Sequence, residues 1–81
     1  MRIPTIHING SHGPTLLEGY LEAIRALQAA GKALDATCPN GRDYYVQGDH
    51  AIGEAMAQHF DRVAKVCEVI KELEAIAETL T

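Results

Sequence analysis

The chain has 81 residues, with seven Lys/Arg against eleven Asp/Glu and a formal net charge of −4, which bounds it to one small acidic domain. The basic residues stand singly among acids, without the basic face of a duplex nucleic-acid binder; no apolar run approaches the ~18 residues of a membrane span, and no segment reads as a signal peptide. Cys38 and Cys67 are too few for a disulfide framework, and there is no Cys-x-x-Cys or His-x-x-x-His pair, so the expectation is a cytoplasmic protein with reduced thiols, no metal and no cofactor. Below roughly 70–80 residues a single core supplies only about 3–5 kcal/mol. Oligomerisation is therefore the expected stabiliser.

Residues 1–13 form the first unit. Ile6 and Ile8 alternate with Thr5 and His7, and Asn9-Gly10 is a turn signal, so a short strand or extended arm is predicted. A lone strand leaves its backbone unsatisfied, so the arm should lie along the helices or pair with the same segment of a second copy.

The first helix is predicted over 14–36. Thr15 with Glu18 has the capping-box spacing, and Ser11 followed by Pro14 offers an alternative start. Leu17, Tyr20, Ile24, Leu27, Gly31 and Leu34 recur in alternating steps of 3 and 4, a coiled-coil-type seam. Gly31 costs about 1 kcal/mol relative to Ala in a helix, which close approach of a second helix would justify.

A loop follows over 37–49. Pro39 stops the helix, since it lacks an N–H and biases its predecessor away from helix. Asn40-Gly41 reads as a turn with positive φ. Asp49 reads as the cap of a second helix over 50–79.

In that helix Ile52, Met56, His59, Val63, Val66, Ile70, Leu73, Ala77 and Leu80 again step by 4 and 3. Phe60 with Cys67 widens the face on one side, and Val69 with Ile76 on the other. One partner helix covers only a narrow seam, so the surplus width is a second argument for an oligomer, such as a four-helix bundle made from two hairpins. The predicted fold is all-α: an antiparallel helical hairpin with a short extended N-terminal arm. At about 1.5 Å per residue the helices run roughly 33 and 45 Å, which puts the loop at one end and both termini at the other.

Arg42, Tyr44, Tyr45, Gln47 and His50 are the loop residues that turning and capping leave unexplained. Arg grips phosphate or carboxylate with parallel hydrogen bonds, and Tyr supplies a flat face with a hydroxyl at its edge. The set suits a nucleotide-like ligand or a protein hot spot. The structural alternative is that Tyr44 and Tyr45 plug the end of the bundle while Arg42 pairs with Asp43. A second candidate is an anion site at the first helix start, formed by Ser11, His12 and Gly13, with no acid before Glu18. His59 reads as a core histidine and Cys67 as a small core hydrophobe. Cys38 could be an activated thiol only with His50 as its base. Glu68, Glu72, Glu74 and Glu78 read as a solvated face with local ion pairs. No nucleophile–base pair or paired catalytic carboxylates can be assembled, so the chain is read as a non-enzyme.

Ile8-Asn9-Gly10, the block Pro39-Asn40-Gly41-Arg42-Asp43-Tyr44-Tyr45 with Gln47-Gly48, and the Glu-Leu-Glu-Ala run at 72–75 resemble a family of short uncharacterised bacteriophage proteins. The likeness spans essentially the whole chain, and the central block is its specific part. It implies phage origin and action in the infected bacterial cytoplasm, without implying an activity. Small phage accessory proteins commonly act against host defence by binding. The leading expectation is thus capture of a nucleotide-derived immune signal at an oligomer-formed pocket, Arg42 holding phosphate, Tyr44 or Tyr45 stacking on base, and Gln47 and His50 contacting its edge. Direct inhibition of a host defence protein through the 38–50 loop is the alternative, and a structural or assembly component the third reading.

Overall fold

The structure is a computed structural model that describes residues 1–10 and 12–81. It is an antiparallel hairpin of two helices, α1 (Gly13–Asp35) and α2 (Ala51–Thr79), joined by two single 3-10 turns, Gly41–Asp43 and Tyr45–Gln47. The described residues contain no strand. The hairpin is long and thin, 61 × 20 × 16 Å. Its radius of gyration of 18.3 Å exceeds the roughly 12 Å of a compact domain of this length.

The 3-4 periodicity marks the seam correctly. Every one of the fifteen seam positions named above is half-buried or buried, from Leu17 to Leu34 on α1 and from Ile52 to Leu80 on α2. Full burial is rare, however. Ile24, Ala55, Ile76 and Ala77 are the only buried apolar residues among those described, and His59, at 3% exposure, is more buried than any of them.

The flanking columns are mostly uncovered, as one partner helix requires. Phe60 is 57% exposed, Val69 44% exposed and Cys67 exposed, whereas Ile76 is buried. Gly31 departs from its expected role. A Cβ there would meet only Val66 Cγ1, at 3.8 Å, an ordinary contact, so packing within the hairpin does not require glycine.

The helix ends differ in detail from the expected ones. α1 starts at Gly13 with Pro14 in its first turn, as the Pro signal indicated, and the Thr15–Glu18 capping box is not formed. His12 occupies the N-cap position with extended backbone, and its Nδ1 lies 3.4 Å from Thr15 Oγ1. At its far end α1 tightens: Ala36 and Thr37 donate their N–H groups to Ala33 and Leu34, and the Thr37 hydroxyl also donates to the Leu34 carbonyl at 2.7 Å. Pro39 then prevents continuation.

α2 starts with His50 at its N-cap position and no side-chain cap, so Asp49 does not fill the role its sequence position suggested. The glycine with positive φ is Gly48, at 111°, and not Gly41. Asn40 contributes through its side chain: its Oδ1 accepts from the Arg42 N–H at 2.9 Å and so caps the first 3-10 turn.

The N-terminal arm is extended without regular structure over 1–7, and Gly10 N–H closes a turn onto the His7 carbonyl at 3.0 Å. Pro4 is half-buried, and Ile6 lies against Gly13, where a Cβ would sit 3.8 Å from its Cγ2. Ile8 by contrast is 97% exposed. The two ion pairs among the described residues, Arg25–Glu18 at 3.1 Å and Lys65–Asp61 at 2.9 Å, join exposed side chains and add little stability. Among the described residues no helix is long and apolar enough to cross a membrane.

Burial along the flank sets the expected cost of truncation. Ile76→Ala should destabilise the protein by about 2–4 kcal/mol in urea unfolding, and Val69→Ala by less than about 1 kcal/mol. Equal costs would contradict this packing.

Candidate functional site

Hairpin geometry folds the connection over the first turns of α2. The 3-10 turns then place Tyr44 and Gln47 opposite a helical stripe of Ala51, Glu54, Ala55, Gln58, His59 and Arg62, while Thr37 and Pro39 close the α1 side. Steps of 3 and 4 along α2 put that stripe on one face. The resulting cleft, open to solvent on one side, measures about 220 Å³, and most of its lining surface is polar.

Charge is divided along the cavity. Glu54 lies in the first turn of α2, where the helix dipole favours an acid. Arg62, eight residues on, is roughly 12 Å further along the axis. Neither residue enters an ion pair among the described residues, so the guanidinium of Arg62 is available to an anion. His59 forms the floor; its ring meets Phe60 edge-on, with centroids 5.8 Å apart and planes at 63°.

A second cavity of about 270 Å³ lies beside the first, lined by Gly41, Tyr44, Tyr45, Gly48, Asp49 and Ile52. Tyr44 is common to both and half-buried, which makes it the partition between them.

The expected loop set is thus divided. Tyr44 and Gln47 line the polar cavity, and Tyr45 lines the neighbouring one while remaining 77% exposed. Arg42 lines neither, and its Nε lies 3.4 Å from Asn40 Oδ1; it does not pair with Asp43. His50 lines neither and stands exposed at the entry to α2. The plug reading therefore fits Tyr44 but not Tyr45. Cys38 Sγ lies 3.9 Å from Met56 Sδ, and no hydrogen bond among the described residues joins it to His50.

Arg62, Glu54 and Gln58 were missed from the sequence because they sit in helix rather than loop. One signal for Arg62 exists: it interrupts the otherwise apolar heptad column of Ala55, Val69 and Ile76.

The proposed anion site at the α1 start lies at the opposite end of the hairpin. Ser11 is outside the described residues. His12 is exposed beside Thr15, and Gly13 is half-buried against Ile6. No group of three or more His, Cys, Asp or Glu residues among those described could hold a metal ion. The chain matches no protein-family model, no curated protein and no solved structure.

His59→Ala should cost about 2–3 kcal/mol of stability, because it empties the most buried position in the seam. Denaturant unfolding would measure this; a loss below about 0.5 kcal/mol, typical of surface sites, would contradict a structural role for the ring.

Proposed function

We propose that the chain is a non-catalytic binding protein whose site is the polar cavity at the loop end, and that its ligand is a small molecule of the nucleotide class. The observation that carries this reading is Arg62, an unpaired guanidinium in a cavity it shares with a half-buried tyrosine and amide side chains. A guanidinium binds phosphate with parallel charge-assisted hydrogen bonds. An aromatic ring provides a stacking face for a base, worth about 1–3 kcal/mol per base in single-strand binders.

Charge also sets an orientation. Glu54 repels phosphate and accepts from an exocyclic amine, so the base lies toward Tyr44 and Glu54 and the phosphate toward Arg62. Each cavity is smaller than the roughly 300 Å³ at which ligand pockets usually begin. The ligand is therefore held partly open to solvent, with its ring or its phosphate enclosed but not both.

The likeness of the 39–45 block to phage proteins supplies a setting. In it, the chain is an accessory protein of the infected bacterial cytoplasm that sequesters a nucleotide-derived defence signal. A specific observation favours a second reading: Tyr45 and Val46 are 77% and 76% exposed side by side, which suits direct binding of a host defence protein through the loop.

Calorimetric titration with a panel of linear and cyclic nucleotides tests the first reading. At least one should bind, with Arg62→Ala and Tyr44→Ala each weakening it by about tenfold or more and Arg42→Ala leaving it unchanged. Absence of heat and of any thermal shift with every nucleotide at saturation would overturn it. Capture of one host protein, lost in Tyr45→Ala, would favour the second reading.

A further inference from the structure

The two flanks of α2 differ. Arg62 and Ala55 lie on the flank of the polar cavity, whereas Gly53, Phe60, Cys67 and Glu74, spaced by seven, lie on the other. On this second flank the seam is open. A groove of about 300 Å³ runs between the helices, with Gly31 on α1 and Val63, Val66, Cys67 and Ile70 on α2 among its lining residues. It is lined mainly by apolar groups, although Lys32 and Asp35 stand at its α1 edge.

We propose that this flank is the interface between two copies of the chain, with Phe60 of each copy seated in the groove of the other. Phe60 is the chain's single phenylalanine and is 57% exposed, a projecting ring on the flank of α2 that also carries Cys67 of the unfilled apolar groove. A cavity of about 150 Å³ already accommodates benzene, so the groove has room for the ring.

Symmetry makes the fit reciprocal. Phe60 and Cys67 lie two turns apart on one flank, about 10 Å along the axis. A two-fold axis crossing α2 near Ala64 exchanges them, placing each Phe60 over the partner's Cys67 and its groove. Such an arrangement is closed and self-complementary, as a two-fold dimer requires. Near the axis Ala57, Phe60, Ala64 and Cys67 carry no charge, so the two α2 helices can approach at the centre of the contact without burying one, while Glu74, which the axis sets opposite Gly53, falls at its outer end.

Surface area supports a second copy as the occupant. A compact monomer of 8.8 kDa exposes about 4,800 Å², whereas this hairpin exposes 6146 Å². The excess of roughly 1,400 Å² is larger than the ~800 Å² that each partner of a standard interface buries.

Gly31 gains a reason as well. Nothing within the hairpin excludes a side chain there, yet glycine costs helix stability. Its missing Cβ deepens the groove that receives the ring.

Sedimentation equilibrium of the full chain, with circular dichroism as the check on folding, decides the matter. The wild-type protein should have twice the 8.8 kDa chain mass. Phe60→Ala should raise the dimer dissociation constant at least about tenfold, as loss of a hot-spot aromatic does. Gly31→Leu, which fills the groove from within and improves helix propensity, should give a folded monomer, and this variant guards against misfolding of the first. Val69→Ala, on the opposite flank, should leave the dimer intact. A wild-type monomer at every concentration would overturn the proposal, as would a dimer unchanged by both Phe60→Ala and Gly31→Leu. A dimer broken by Val69→Ala alone would place the interface on the other flank and overturn it too.

Discussion

One antiparallel seam holds this protein together, and every other feature is placed by it. Two helices with apolar residues in alternating steps of 3 and 4 can satisfy each other only along a single line of contact. That line places the loop at one end of a 61 Å body and the arm and C-terminus at the other. It also limits the core to Ile24, Ala55, Ile76, Ala77 and the histidine between them. Two helices cannot enclose a core as three or more can, because each retains an outward half. The surplus apolar surface on α2 follows from the hairpin itself.

The flanks of α2 receive different chemistry from residues two positions apart. Arg62 faces the loop cavity with Glu54 and Tyr44, while Phe60 stands on the opposite side with Cys67 and the Gly31 groove. His59 lies between them, buried in the seam, in edge contact with Phe60 and at the floor of the cavity. Ligand capture and self-association as proposed therefore use separate surfaces of one helix. The histidine lines the cavity and also touches Phe60.

Helical periodicity made the seam legible in the sequence, since residues such as Leu27 and Val63 could face no other way in an amphipathic helix. Boundaries were readable where a residue constrains backbone directly, as Pro14 and Pro39 do. The loop was less legible. Both Gly41 and Gly48 could have supplied a left-handed turn, and the path back onto α2 selects Gly48. Asp49 was a reasonable cap, but the second 3-10 turn ends too close to the helix for that role, and His50 occupies the N-cap position without a side-chain bond. Half of the polar cavity was hidden for a related reason. Arg42 and Arg62 are twenty residues apart, and only the fold of the loop over α2 decides which shares a cavity with Tyr44.

The central claim is that a single hairpin is an incomplete unit whose stability is finished by a second copy. Its most direct test is the thermal midpoint as a function of protein concentration. A protein stabilised by self-association has a midpoint that rises with concentration, because mass action favours the folded dimer over unfolded chains. The account predicts a steady rise across the accessible range. A midpoint independent of concentration would contradict it and would show that the seam alone suffices.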